Sequence, residues 1–280
     1  MKSWLVFIAF LILVAIGGWF LFFYKMPTAG VTVDFSTNKN YVAMGDSVAA
    51  GQGAGNVAND TCGTTDGAYA NTVASTLHLS MTNIACGGAS LPQGILGLQP
   101  IDTDSQIDKL YQLPTPAIIT LTIGANDAQW IQVLTNCLHQ TCDQPAAKAT
   151  FDADTAMIST NLKTFYDSLE DHYGDTVPHV FTTGYYDVFP TGVSALAVRE
   201  AGLSAADVTW LESLRQELNT TIQNAGANYS FVMYVPIDFS NHKLFTSDSW
   251  IQNLQAPAPL HPTADGQKAI GQAIVAAIQQ

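Results

Sequence analysis

Tyr41-Val42-Ala43-Met44-Gly45-Asp46-Ser47-Val48-Ala49-Ala50-Gly51-Gln52-Gly53 opens as an unbroken apolar run and passes into a turn punctuated by glycine. A short apolar run closed by glycine suits a buried strand better than a helix. Ser47 would leave that strand at a tight turn with its hydroxyl and its N–H both facing a crevice, the posture of a nucleophile. Ser and Asp also cap helices well, so the stretch alone leaves both uses open. Gly51-Gln52-Gly53 with Gly55 does not complete G-x-G-x-x-G, because position 56 is Asn, and no Walker lysine follows. Nucleotide binding is set aside.

Further apolar, β-rich runs occur at Met81–Ala85, Ala117–Ile123, His179–Thr183 and Phe231–Val235. Between them lie amphipathic stretches. In Ala205–Gln223, Leu211, Leu214, Leu218 and Ile222 recur every three or four residues behind a Ser204/Asp207 capping pair. In Ala264–Ile278, Ile270, Ile274 and Ile278 share one face and Thr263 is the expected cap. Alternating strands and helices predict a mainly parallel sheet covered on both sides, with its ligand site at the carboxyl ends of the strands. Three more segments fall at that edge. Ala85-Cys86-Gly87-Gly88-Ala89 allows close backbone approach, Gly124-Ala125-Asn126-Asp127 supplies an amide, and Leu260-His261-Pro262 precedes the last helix. Singly, each also reads as an ordinary turn or a packed His.

The 280 residues are 48% apolar and 12% charged, which excludes a disordered polymer. A net charge of -13 with no basic block excludes nucleic acid as a partner. Trp4–Tyr24 has no Asp, Glu, Lys, Arg or His, lies between Lys2 and Lys25, and as a helix spans about 31 Å, a bilayer core. An uncleaved signal anchor is favoured over a cleaved signal, because the apolar stretch is long and no clear A-x-A site follows. Residues 1–30 are accordingly assigned to this segment and its tether, and residues 31–280 to one α/β domain, expected to lie outside the cytoplasm. Cys62, Cys86, Cys137 and Cys142 lack a C-x-x-C pair, so disulfides are favoured over zinc and over free thiols. The short Cys137/Cys142 spacing suggests a local loop, leaving Cys62 with Cys86.

Ser47, Gly88, Asn126 and His261, taken together and in this order, resemble the SGNH hydrolases, the GDSL esterases and lipases. Gly45–Gly53 looks like the family's first block, Gly88 its second, Gly124-x-Asn126-Asp127 its third and His261-Pro262 its last. Gly184-Tyr185-Tyr186-Asp187-Val188-Phe189-Pro190 resembles the stretch after the fourth strand in secreted actinobacterial-type members. The resemblance covers about residues 40–280. It implies a flavodoxin-like three-layer α/β/α sandwich with a five-stranded sheet, acting on acyl esters of lipids or acylated glycans. It also implies Ser47 as nucleophile, His261 as general base, and an oxyanion hole from the N–H groups of Ser47 and Gly88 with the Asn126 amide. Gly87 is the alternative to Gly88, which is preferred. No metal or other cofactor is implied, and a monomer is expected.

One position departs from the family pattern. Where the family has Asp three residues before the His, this chain has Ala258. Some members resembling it use a main-chain carbonyl there, so the Ala258 carbonyl is the expected partner of His261 Nδ1, ahead of Asp248 or Asp265. Loss of the Asp also raises a catalytically silent binding module as a rival, beside a polysaccharide or glycan O-deacetylase of the same fold. The α/β-hydrolase elbow G-x-S-x-G is absent, as is H-E-x-x-H.

Overall fold

The computed structural model describes residues 33–58, 60–99, 101, 104–139, 142, 145–190 and 202–280. Five strands, β1 (Asn40–Gly45), β2 (Ser80–Asn83), β3 (Ile118–Thr122), β4 (His179–Thr183) and β5 (Val232–Val235), form one parallel sheet in the order β2-β1-β3-β4-β5. This is the flavodoxin-like order, whose switch point lies between β1 and β3. The central strands are buried throughout apart from Asn40 at the start of β1 and His179 at the start of β4, which is why they carry no Asp, Glu, Lys or Arg and lack a polar face. Edge strand β2 ends two residues short of the sequence expectation. There the Asn83 side chain accepts the Ala85 N–H at 3.0 Å, while the Ile84 and Cys86 N–H groups still donate to the Ala43 and Gly45 carbonyls of β1.

Among the described residues, seven α-helices accompany the strands: α1 (Ser47–Ala50), α2 (Tyr69–Leu77), α3 (Gln106–Gln112), α4 (Trp130–His139), α5 (Pro145–Tyr173), α6 (Ala205–Gly226) and α7 (Ala264–Ile278). Ser204 and Asp207 form the expected capping box on α6, and Thr263 caps α7 by accepting the Gly266 N–H. Helix α2 packs with α7, and α5 with α6. Strand alternation puts the two pairs on opposite faces. Tyr69 of α2 hydrogen-bonds Thr122, which also bonds Thr183, while Tyr166 of α5 hydrogen-bonds Thr182, the preceding residue of β4.

Disulfides join Cys62 to Cys86 and Cys137 to Cys142, with Cα separations of 4.3 and 4.4 Å. The predicted membrane segment Trp4–Tyr24 lies outside the described residues. Among those described, no helix is long and apolar enough to cross a membrane.

Candidate active site

The site begins where β1 stops. Gly45 has φ +133°, and a Cβ there would lie 2.0 Å from the Thr122 carbonyl oxygen, so only glycine lets β1 pass β3 this closely. Its N–H donates to Gln106 Oε1 and its carbonyl accepts from Gln106 Nε2, both at 2.8 Å. Asp46 then caps α1 by accepting the Val48 N–H at 2.8 Å, leaving Ser47 as the first helical residue. Both uses open at Ser47 and Asp46 are therefore divided between them. The aspartate caps, and the serine faces the cavity.

Ser47 Oγ lies 2.7 Å from His261 Nε2. The ring's other nitrogen, Nδ1, is 3.0 Å from the Pro259 carbonyl oxygen. This corrects the expectation for Ala258. Leu260 adopts φ +66° and folds the ring back over Pro259, while the Ala258 carbonyl accepts the main-chain N–H of His261 at 3.3 Å. A neutral carbonyl at Nδ1 selects the tautomer with hydrogen on Nδ1 and a lone pair on Nε2 facing Ser47. Burial holds the imidazole pKa below its usual value, against the opposing pull of the Pro259 and Ala258 carbonyls. Asp248 is engaged elsewhere, its Oδ2 3.0 Å from His242 Nδ1. Asp265 is in the first turn of α7.

Gly87 and Gly88 differ in their surroundings. The Gly87 N–H is committed to the Cys62 carbonyl at 2.9 Å, whereas Gly88, at φ +77°, lines the cavity. Asn126 faces the same cavity. One of its amide hydrogens is held by the Ala89 carbonyl at 2.7 Å, which leaves the second for a ligand. Ser47, Gly88, Asn126 and His261 thus surround one cavity of about 250 Å³, walled by Val48, Trp130, Ile131, Val188, Leu218 and Leu260.

Several supporting residues escape sequence reasoning. The Tyr185 hydroxyl donates to buried Asp46 and accepts the Ala125 N–H at 3.0 Å, tying the Ser47 turn to the Asn126 turn. Tyr186 donates to the Leu260 carbonyl at 2.7 Å, next to His261. Asp127 accepts the Leu91 N–H at 2.9 Å. Burial pushes the Asp46 carboxyl up to about 7, although the Tyr185 hydroxyl and the Val48 and Ala49 N–H groups oppose it. Burial also raises Asp127 to about 6, with the Leu91 N–H opposing. The family resemblance marked Gly184–Pro190, and this was the available signal for the two tyrosines. Gln106 had none.

A serine hydroxyl set against an imidazole, with a backbone N–H and a side-chain amide across the same cavity, is an arrangement suited to acyl transfer through serine. The model of the GDSL-like Lipase/Acylhydrolase family matches residues 43–269. The chain belongs to that family. It is 27% identical over 236 residues to a lipase of Streptomyces rimosus, covering 81% of this chain and 82% of the relative. The crystal structure of the extracellular lipase from Streptomyces rimosus superposes with a TM-score of 0.69 at 22% identity, over 85% of this chain and 99% of that one. Phospholipase A1 from Streptomyces albidoflavus NA297 gives 0.59 at 24% identity, over 87% and 100%.

Proposed function

We propose that this protein hydrolyses lipid-type carboxylic esters through a Ser47–His261 dyad, and the observation that carries this is the 2.7 Å contact between Oγ and Nε2. Ser47 Oγ attacks the ester carbonyl carbon while its proton passes to His261 Nε2. The oxyanion accepts from the N–H groups of Ser47 and Gly88 and from the free hydrogen of the Asn126 amide, each such donor being worth about 10²–10³ in rate. When the tetrahedral intermediate collapses, the bond to the alcohol oxygen breaks and His261 returns the proton to it. Water then repeats the sequence on the acyl-enzyme, releasing the acid.

Pro259 supports an active dyad over a silent binding module, because its carbonyl supplies the tautomer selection that the missing Asp would give. The apolar walls favour a fatty acyl chain over the acetyl group of a glycan, and about 250 Å³ accommodates that chain with the alcohol left outside. The two disulfides support a location outside the cytoplasm. Trp4–Tyr24 is read as an anchor holding a monomeric catalytic domain, residues 31–280, to the membrane.

A fluorophosphonate should label the wild type at Ser47, and Ser47→Ala should lose both labelling and turnover of p-nitrophenyl butyrate while keeping its melting temperature. Activity surviving within tenfold would refute the nucleophile assignment.

A further inference from the structure

Among the described residues, the large apolar side chains standing in water are Val57 (68% exposed), Leu98 (61%), Ile131 (50%), Ile101 (49%) and Met157 (59%). Isolated exposures of this kind are ordinary. Four of these five are not isolated. Val57 lies in the segment after β1, Leu98 and Ile101 in that after β2, and Ile131 at the start of α4 after β3. All three segments leave the carboxyl edge of the sheet that carries Ser47.

Direct bonds draw them together. Val57 pairs with Thr65 across a short hairpin, whose Cys62 is disulfide-bonded to Cys86 and accepts the Gly87 N–H. From that hairpin Thr61 donates to the Ile101 carbonyl at 3.2 Å, and Gln99, beside Leu98, donates to the Gly87 carbonyl at 2.6 Å. Val57, Leu98 and Ile101 therefore stand on two loops fastened to the Gly87-Gly88 turn, and Ile131 lines the cavity itself. The exposed apolar side chains thus stand on loops bonded to the turn whose Gly88 borders the cavity that must admit an acyl chain.

Charge restricts what can sit there. Between Lys39 and Lys148 the sole basic residue is Lys109, in α3, so none of these loops carries a Lys or Arg, while the hairpin carries Asp60. Anionic bilayers recruit proteins through basic clusters. A rim of apolar side chains with acids and no bases suits an uncharged or zwitterionic surface.

We propose that Val57, Leu98 and Ile101 form a docking rim for an electrically neutral lipid surface, from which esters enter the cavity directly. This rests on the ester-hydrolase reading above. Two measurements on the full-length protein separate the claims. The first follows contact alone: Leu98→Trp, with the wild-type signal subtracted, should be quenched by brominated phosphatidylcholine vesicles, and less so when half the lipid is phosphatidylglycerol. No added quenching overturns the rim whether or not the protein hydrolyses anything.

The second compares wild type with Val57→Ser/Leu98→Ser/Ile101→Ser. Turnover of soluble p-nitrophenyl butyrate should stay within twofold, while turnover of p-nitrophenyl palmitate dispersed in phosphatidylcholine should fall at least about tenfold. Equal losses on both substrates, or none on either, would overturn the proposal. So would a wild-type dimer that the triple variant converts to a monomer, since a second copy would then own the rim. A wild type inert toward the soluble ester would sink the hydrolase reading instead, and the quenching result would still decide the docking.

Discussion

Tyr185→Phe removes one oxygen and tests whether the site is held by the link between its two turns. The lost hydroxyl donates to Asp46 and accepts from the Ala125 N–H, and Tyr185 is 9% exposed, so water does not readily replace it. Two buried groups lose a partner at about 1–3 kcal/mol each, giving a destabilisation of about 2–6 kcal/mol. The loss should depend on pH, with a definite sign. Asp46 has a folded pKa near 7 against 3.8 for the free side chain, so the stability it contributes is present at low pH and is lost as pH rises toward 7. The Tyr185 hydroxyl favours the ionised carboxylate, so its removal raises that pKa further and the variant goes on losing stability above pH 7, where the wild type has stopped. Each tenfold gain in proton affinity widens the gap by about 1.4 kcal/mol. Urea unfolding followed by tryptophan fluorescence at pH 5 and pH 8 measures it, with p-nitrophenyl butyrate turnover as a second readout. A gap below about 0.5 kcal/mol, or one equal at both pH values, would refute the reasoning.

Asn126→Ala should lower kcat by about 10²–10³ with KM little changed, and a change confined to KM would make Asn126 a binding group. Asp248→Asn and Asp265→Asn should each keep activity within about tenfold, since loss of a true triad acid costs nearer 10⁴; a thousandfold fall in either would place a carboxylate behind His261 after all. Because burial lowers the His261 pKa and the base must be neutral, the acid limb of kcat/KM should fall below pH 6.5. A limb above that value would mean that a negative charge reaches the ring.

The strands were legible because β1, β3 and β4 are buried almost throughout and so are written as short runs of apolar and threonine residues without Asp, Glu, Lys or Arg. The last two helices were legible from their caps, Ser204 with Asp207 and Thr263. Ser47, Gly88 and Asn126 were legible because each follows a strand at a turn marked by glycine. Which carbonyl meets His261 Nδ1 was not, since it depends on the φ of +66° at Leu260, a residue type that rarely advertises that conformation. Gln106 and Tyr185 were not legible either. Their partners Gly45 and Asp46 lie 61 and 139 residues away, and no local period records such a contact. The long helix α5 has only a weak apolar stripe and was not placed from sequence.

The residues that were missed, together with Asn126, share one physical task. Beyond the last rung of a parallel ladder the backbone loses its partners, yet here it is covered by protein, so its polar groups must be satisfied by side chains. Gln106 does this for Gly45, Asp127 for Leu91, Asn126 for Ala89, Tyr185 for Ala125 and Tyr186 for Leu260. Each of these bonds joins separate segments around the carboxyl edge of the sheet, so satisfying the backbone also sets the spacing between Ser47, Gly88, Asn126 and His261. Loops that would otherwise be free to shift are locked to within hydrogen-bond tolerance, the precision that a positioned dyad requires. That rigidity matters more in this chain than it would with a carboxylate behind the histidine. In the proposed dyad the Pro259 carbonyl would orient the ring but bring no full charge to hold an imidazolium, so stabilisation of the transition state would fall more heavily on the proposed oxyanion donors and on how firmly they are placed.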